Sequence, residues 1–333
     1  MPEATLDDIL TKSKGFMESQ LILSAHELGI FDVIGKDSFT SDKLSEKTDL
    51  NKRGLRILLD GLAAIGLLEK SGRNYANTGT GLRHLVSGGA DCRSATLDHI
   101  IRMREAWLRL HESVKSGTTA RREEESLVHN RERNRSFILA MRDIGQANAK
   151  TIAENLDLSR YKSLIDLGGG PGSFSMEIIK KFPHIRATVV DLPLTLEVAS
   201  EVIKEAGMAD KVALREADFF NDPESGLGKG YDLAVISNVL HIEGVEQNKA
   251  LLKRLYSAMD TSGMLIIHET IIDETRTAPA DRALFAINML VNTERGNAYT
   301  FDEMRSWLEE AGFSDVTFID CFDRPSLMVA YKR

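Results

Sequence analysis

Leu164-Ile165-Asp166-Leu167-Gly168-Gly169-Gly170-Pro171-Gly172-Ser173 decides the fold of this chain. Four residues of a buried-strand pattern run into a glycine turn, and the turn opens into the helical stretch Ser175–Phe182. Glycine allows a tight backbone turn and lets a ligand approach without a Cβ in the way, which is why nucleotide sites use it at the carboxyl end of a strand. As a dinucleotide fingerprint the stretch is defective. The third glycine of G-x-G-x-x-G would fall on Ser173, and Pro171 intervenes, so a nicotinamide cofactor is disfavoured.

Downstream, strand and helix signals alternate. Residues 187–191 (ATVVD) precede the helical 195–207; 211–218 (KVALREAD) and 231–240 (YDLAVISNVL) are strands; a helix reaches Met259, and 264–270 (MLIIHET) is a fifth strand. Alternation of this kind predicts a doubly wound parallel α/β sheet. The end of the chain differs. Residues 314–322 and 326–333 are two strands separated only by Asp323-Arg324-Pro325, too short for a crossover, so they predict an antiparallel hairpin closing the sheet.

Upstream, the pattern is helical. Gly15–Leu28 carries helical spacing, residues 29–35 (GIFDVIG) turn the chain, 40–44 (TSDKL) read as a capped helix start, and 48–54 (TDLNKRG) begin a further helix running through the apolar-faced 55–70. The polar turn 70–74 and residues 75–79 then read as a β-wing, so the first hundred residues predict a winged helix, a fold that often reads DNA. Charge argues against that use. Residues 1–90 hold twelve acidic and eleven basic side chains, and the whole chain of 333 residues has 50 acidic against 42 basic, a formal charge of −8. A nucleic-acid reader presents a basic face, so packing or dimerisation is the expected role and a metabolite-responsive regulator the weaker alternative. From Ser94 to Leu156 the chain reads as bridging helices interrupted by a polar surface loop at 116–126. The expected division is therefore 1–98 and 99–333.

Composition sets the class. With 42% hydrophobic and 28% charged residues, 25 Gly and 7 Pro, the chain is of ordinary globular type. Cys92 and Cys321 form no CxxC pair and suggest free thiols in a reducing, cytoplasmic setting. No apolar run reaches the length of a membrane span, and no HExxH-type spacing suggests a metal site.

Three acids refine the site. Asp166 precedes the glycines, Asp191 ends the second strand and Asp218, followed by Phe219, ends the third. Asp191 stands where such sheets place an acid for ribose hydroxyls. Asp218 with Phe219 suits an adenine amine and ring face, and Asp166 suits a cationic amino-acid end. Each alone could merely cap a turn; together around one glycine loop they point to a nucleoside carrying an amino acid.

Residues 165–175 (IDLGGGPGSFS), 189–193 (VVDLP), 215–220 (READFF), 236–241 (ISNVLH) and the terminal pair 311–321 and 326–333 resemble the class I S-adenosylmethionine-dependent O-methyltransferases of the caffeate, hydroxyindole and bacterial tailoring type. Residues 25–35 and 58–70 resemble that family's winged-helix dimerisation domain. The resemblance implies a Rossmann-like seven-stranded sheet with a C-terminal antiparallel hairpin, a homodimer built through the N-terminal domain, and S-adenosyl-L-methionine as cofactor, leaving as S-adenosyl-L-homocysteine. It assigns the cofactor to Gly168, Gly170, Gly172, Asp191 with Leu192, Asp218 with Phe219, and Ser237, where plant members often carry lysine.

Methyl transfer to a hydroxyl needs a proton acceptor held near the nucleophile. His241, at the carboxyl end of the fourth strand, matches the family's catalytic histidine, and Glu269, ending the fifth, matches the acid that orients it. His268 is expected on the opposite face, because side chains alternate along a strand. Two positions depart from the family pattern. His-Asp-Trp is replaced by His241-Ile242-Glu243, and a second glutamate falls at Ala298, with Glu294 nearby in sequence. The family's acceptor-lining segments carry Trp107, Phe137, Met141, Asn238, Met289 and Asn292 here, which implies a mostly apolar pocket for a small aromatic or polycyclic acceptor. Methylation of nitrogen, sulfur or carbon on the same scaffold is the alternative, since fold does not dictate chemistry.

Overall fold

The structure, a computed structural model, describes residues 3–120, 130–222, 226–319 and 326–333. Cys321, the Asp323–Pro325 turn and residues 121–126 of the polar loop lie outside them. The chain divides into two compact units, Met1–Ile101 and Arg102–Arg333.

The first unit holds α1 (Leu6–Lys14), α2 (Phe16–Glu27), α3 (Ile30–Ile34), β1 (Ser38–Thr40), α4 (Ser41–Thr48), α5 (Lys52–Ala64), β2 (Leu68–Ser71), β3 (Asn74–Asn77) and α6 (Gly79–His84). The division falls within α7 (Ser94–Trp107). Both helices start within the expected stretches: the Thr40 hydroxyl accepts from Lys43 N–H, and within 48–54 the cap is Asn51, whose Oδ1 accepts from Arg53 and Gly54 N–H. Two expectations need correction. Residues 30–34 form a short helix between Gly29 and Gly35, not a plain turn, because Ile30, Phe31 and Ile34 bury together in the unit's core. The helix expected over 55–70 stops at Ala64. Gly66 takes φ +78°, and Leu68–Ser71 then pairs antiparallel with β3, which also pairs with β1. Helix, turn, helix and antiparallel wing thus follow one another as expected.

The second unit continues with α8 (Leu110–Ser116), α9 (Arg131–Asn155), β4 (Ser163–Leu167), α10 (Ser173–Lys181), β5 (Arg186–Asp191), α11 (Pro193–Glu205), β6 (Val212–Glu216), β7 (Tyr231–Ser237), a 3₁₀ turn Leu240–Ile242, and α12 (Val245–Ala258). Then come β8 (Met259–Glu269), β9 (Ile271–Ile272), α13 (Ala280–Asn292), β10 (Tyr299–Thr300), α14 (Phe301–Ala311), β11 (Phe313–Ile319) and β12 (Ser326–Lys332). The main sheet has seven strands in the order β11-β12-β8-β7-β4-β5-β6. β4 to β8 run parallel; β12 is antiparallel to both β8 and β11. The terminal hairpin therefore closes the sheet by inserting its second strand beside β8.

Alternation along the strands divides the core into two faces. Leu164, Val189, Val235 and Ile266 pack with Ile138, Ile178 and Ile203 from α9, α10 and α11. Ile165, Ile236 and Ile267 pack with Leu252 of α12 and Trp307 of α14 on the other side. Parallel central strands buried on both faces explain the near-continuous apolar runs in their sequences. The order reverses at β4, where β5 lies on one side and β7 on the other, and a crevice opens there at the strands' carboxyl ends. Among the described residues, no helix is long and apolar enough to cross a membrane.

Candidate active site

The glycine loop sits in that crevice. Gly168 takes φ +67°, and a Cβ built on it would lie 2.4 Å from Val239 Cγ2, so both conformation and space demand glycine. Gly170 N–H donates to Asp191 Oδ2 at 2.9 Å, tying the loop to the end of β5, while Gly172 precedes the first turn of α10. Beside the loop is a cavity of about 370 Å³, walled by Gly168–Gly170, Asp191, Leu192, Asp218, Phe219 and Ser237.

Asp191 also accepts from its neighbour's backbone, Leu192 N–H at 2.8 Å. Burial pushes its carboxyl up to about 6, against the opposing pull of these hydrogen bonds. Asp218 accepts from the Asn221 backbone N–H and side-chain amide, and Arg254 Nη1 holds the Phe219 carbonyl at 2.8 Å. Asp166 and Gly172 do not line the cavity. Asp166 is fully buried, and a Cβ on Gly169 would lie 2.7 Å from its Cγ, so the carboxylate lies beneath the loop. Strand alternation turns it, with Leu164, towards the α10 face, where Ser175 N–H and O–H donate to Oδ2. Its carboxyl too is pushed up to about 6, first by burial.

At the ends of β7 and β8 the parallel register sets Ser237 beside His268, and their Oγ and Nδ1 are 2.9 Å apart. His268 is buried against the Phe174 ring, and burial pushes it down to about 4, so it is neutral near pH 7. The next residue points to the other face. Glu269 Oε1 lies 2.6 Å from His241 Nδ1 and also accepts from Thr270 N–H, while Oε2 accepts from His241 N–H at 3.4 Å. Burial alone would raise the Glu269 carboxyl; the facing imidazole and the hydrogen bonds outweigh it and hold the group below its ordinary value. Among the described residues His241 Nε2 makes no hydrogen bond, and the Phe285 ring meets the imidazole edge-on at 4.9 Å. The His241 side chain is 10% exposed, and its neighbours Asn238, Val239, Ile242 and Glu243 line the cavity.

The acceptor-lining candidates separate into two groups. Phe137 and Met141 on α9, with Asn238, line the cavity. Trp107, Met289 and Asn292 do not. Trp107 Nε1 donates to Asn288 Oδ1 at 2.9 Å, Asn292 Nδ2 donates to the same oxygen at 2.8 Å, and Met289 is buried within α13. Glu294 is not brought to His241: its side chain is 74% exposed and faces Arg295. The loop instead braces His241 by backbone, Asn297 N–H donating to the His241 carbonyl at 3.0 Å beside the buried Ala298.

Two cavity residues carried no sequence signal. Asn134 and Thr195 meet only because α9 packs on α11, and neither belongs to a local motif, so spacing could not find them. Glu243, two residues after His241, also lines the cavity and pairs with Arg295, 52 residues further along, at 2.8 Å.

Comparison with known proteins gives a consistent picture. The family described as O-methyltransferase domain matches residues 118–314, and that described as O-methyltransferase dimerisation domain matches 10–87. The chain is 31% identical over 315 residues to 3-hydroxy-5-methyl-1-naphthoate 3-O-methyltransferase of Streptomyces sahachiroi, covering 93% of this chain and 89% of that protein. It is 31% identical over 320 residues to the tetracenomycin polyketide synthesis 8-O-methyl transferase of Streptomyces glaucescens, covering 93% and 91%. Among solved structures, human N-acetylserotonin methyltransferase in complex with S-adenosylmethionine superimposes with a TM-score of 0.87 at 25% identity, covering 99% of this chain and 98% of that one.

Proposed function

The chain belongs to the O-methyltransferase family of S-adenosylmethionine-dependent enzymes, and from that premise we propose that it methylates a hydroxyl of a small aromatic or polycyclic acceptor, with His241 as general base. The observation that carries the reading is the buried His241–Glu269 pair, 2.6 Å apart, at the carboxyl ends of β7 and β8 beside the glycine cavity.

The residues present suit the cofactor. The glycine loop forms a cradle that a Cβ at Gly168 would obstruct, and Asp191 and Asp218 line the same cavity. We assign Asp191 to the ribose hydroxyls, Asp218 and Phe219 to the adenine, and Gly168, Gly170, Leu192 and Ser237 to the remaining wall. Bound there, S-adenosylmethionine supplies an electrophilic methyl group on a sulfonium. Glu269 accepts a hydrogen bond from His241 Nδ1–H, which fixes the tautomer with Nε2 as the free acceptor. Nε2 then takes the acceptor's hydroxyl proton as oxygen attacks, and the carboxylate stabilises the imidazolium that results. Positioning does the rest of the work, since an in-line displacement needs its reacting atoms about 3–3.5 Å apart.

Phe137 and Met141 make the α9 wall apolar, and the naphthoate and polyketide named for the two Streptomyces relatives point to flat hydroxylated rings. Residues 1–98 are assigned to the dimerisation domain of a homodimer and 99–333 to the bridging helices and cofactor domain.

The test is a methyl-transfer screen of hydroxynaphthoates and polycyclic phenols, read as S-adenosylhomocysteine formed. With a phenol that the native enzyme methylates, His241→Ala is then compared with native across pH. The variant's deficit should be greatest near neutrality and shrink as the phenol ionises unaided. Equal activity of the two proteins at pH 7 would remove His241 as base; transfer only to amines or thiols would remove the hydroxyl acceptor.

A further inference from the structure

We propose that His268 is a positioning residue for the cofactor: it holds the proton of the Ser237 hydroxyl, so that Oγ stands on the cavity wall as an acceptor for the ammonium of the cofactor's amino-acid end. The parallel register sets the two residues side by side at the ends of β7 and β8, with Ser237 Oγ 2.9 Å from His268 Nδ1. Ser237 lines the cavity and is partly exposed. His268 is 1% exposed and lies behind it, packed on the Phe174 ring.

Proton counting orients the pair. Asn238 Nδ2 lies 3.3 Å from Ser237 Oγ and 3.5 Å from His268 Nδ1. A protonated Nδ1 would set an N–H against that amide NH₂, whereas a bare Nδ1 accepts from both the hydroxyl and the amide. The far nitrogen does not choose between the tautomers, because Nε2 is buried without a partner among the described residues whichever nitrogen carries the proton. Burial also pushes the ring down to about 4, so it stays neutral near pH 7 and one nitrogen remains bare. With its proton committed to Nδ1 and one lone pair met by the Asn238 amide, Ser237 Oγ has a lone pair left for a ligand.

Strand order identifies the part of the ligand. Along the sheet edge β5 and β6 lie on one side of β4 and its glycine loop, and β7 lies on the other. Asp191 and Asp218, assigned to ribose and adenine, stand at the end of β5 and just beyond β6. The rest of the cofactor must extend past the loop towards β7, which is also where its methyl has to meet the acceptor beside His241. The amino-acid end carries one strong donor, its ammonium. Asp166, the acid suited by sequence to that cation, lies beneath the loop and does not line the cavity. The Ser237 hydroxyl, fixed by His268, supplies an acceptor on that side.

The inference rests on the assignment of Ser237 to the cofactor wall, and the experiment separates the two. Binding of S-adenosylhomocysteine is measured by calorimetry, together with its decarboxylated analogue, which keeps the ammonium, its deaminated analogue, which keeps the carboxylate, and 5′-methylthioadenosine, which lacks the amino-acid end. Ser237→Ala should weaken S-adenosylhomocysteine binding about tenfold and His268→Leu about three- to tenfold. His268→Asn, whose amide oxygen takes the Nδ1 place, should restore most of the loss. The penalties should persist with the decarboxylated analogue and vanish with the deaminated one, while methylthioadenosine binds every variant as it binds the native protein. His268→Leu should add nothing to Ser237→Ala. Nitrogen NMR should show Nδ1 of His268 as the unprotonated, pyridine-type nitrogen. Native affinity in His268→Leu overturns the proposal, as do a protonated Nδ1, a penalty that persists with the deaminated analogue, and an equal loss of methylthioadenosine binding, which would mark a structural role only. If Ser237→Ala itself binds S-adenosylhomocysteine as the native protein does, the assignment of Ser237 to the cofactor falls; if it binds more weakly and His268→Leu does not, only the present inference falls.

Discussion

Glu269→Gln isolates the charge of the histidine's partner from its shape. Three donors converge on the Glu269 carboxylate: His241 Nδ1 at 2.6 Å and Thr270 N–H at 2.8 Å on Oε1, and His241 N–H at 3.4 Å on Oε2. A glutamine whose oxygen takes the Oε1 place keeps the two short bonds and gives up only the longest, so the histidine should stay in position. What is lost is the negative charge facing the ring as it becomes imidazolium. A hydrogen bond to a charged group is worth about 1.5–3 kcal/mol, which corresponds to a fall of about 10- to 150-fold in the rate of the chemical step. The assay is single-turnover methyl transfer at saturating S-adenosylmethionine, because product release can mask chemistry in steady-state kcat. Affinity for S-adenosylhomocysteine should be unchanged, since Glu269 does not line the cavity wall, and the deficit should shrink as pH approaches the ionisation of the phenol itself. A single-turnover rate within twofold of native at pH 7 would refute the role given to the pair.

Gly168→Ala should abolish measurable S-adenosylhomocysteine binding or lower it at least tenfold, as the methyl would meet Val239 2.4 Å away in a left-handed backbone that costs about 1–2 kcal/mol more; calorimetry giving native affinity would contradict the loop geometry. Asp166 has its folded carboxyl raised from 3.8 to about 6, so the stability its protonated form contributes is fully present below pH 3.8 and lost as pH rises through about 6, by about 3 kcal/mol in all. Asp166→Asn should therefore flatten the rise in unfolding free energy between pH 7.5 and pH 5 measured by urea denaturation, and an unaltered pH dependence would show that Asp166 is ionised at no such cost. Asp191 is raised in the same direction, so its protonation should weaken S-adenosylhomocysteine binding as pH falls below about 6, read by calorimetry at pH 5 and 7.5. Glu294→Ala should leave kcat within twofold, because that side chain is 74% exposed and faces Arg295.

What was legible in the chain follows from the range of the interactions involved. Strand-turn-helix at 163–181, the helix starts at 40–44 and 48–54 and the closing hairpin depend on neighbours a few residues apart, and those the sequence carries openly. Helix ends without a capping signal are harder. Residues 55–70 keep an apolar pattern through Gly66, and only pairing with β3 decides that Leu68–Ser71 leaves the helix for a strand. The insertion of β12 beside β8, ahead of β11 in space, is equally a matter of pairing across the sheet.

The site divides along the same line. Gly168, Asp191, Asp218, His241 and Glu269 stand at or just beyond strand ends, and a doubly wound sheet gathers strand ends at one edge, so their order in sequence already placed them along that edge: the first three on the cavity wall, the last two paired beside it. Position alone did not determine their roles. Asp166, one residue before the loop's strand ends, lies under the glycines because alternation turns it to the α10 face. Glu294, close to the expected second acid in sequence, faces away from His241, while Trp107 and Asn292, 185 residues apart, share one oxygen of Asn288. Asn134 of α9 meets Thr195 of α11, 61 residues further along, at the cavity wall. Local pattern determined the sheet and its glycine crevice, and the family resemblance of its motifs pointed to the cofactor; helix packing across the sheet decided which polar side chains the crevice turns inward, because hydrogen-bond partners far apart in sequence are chosen by distance in space.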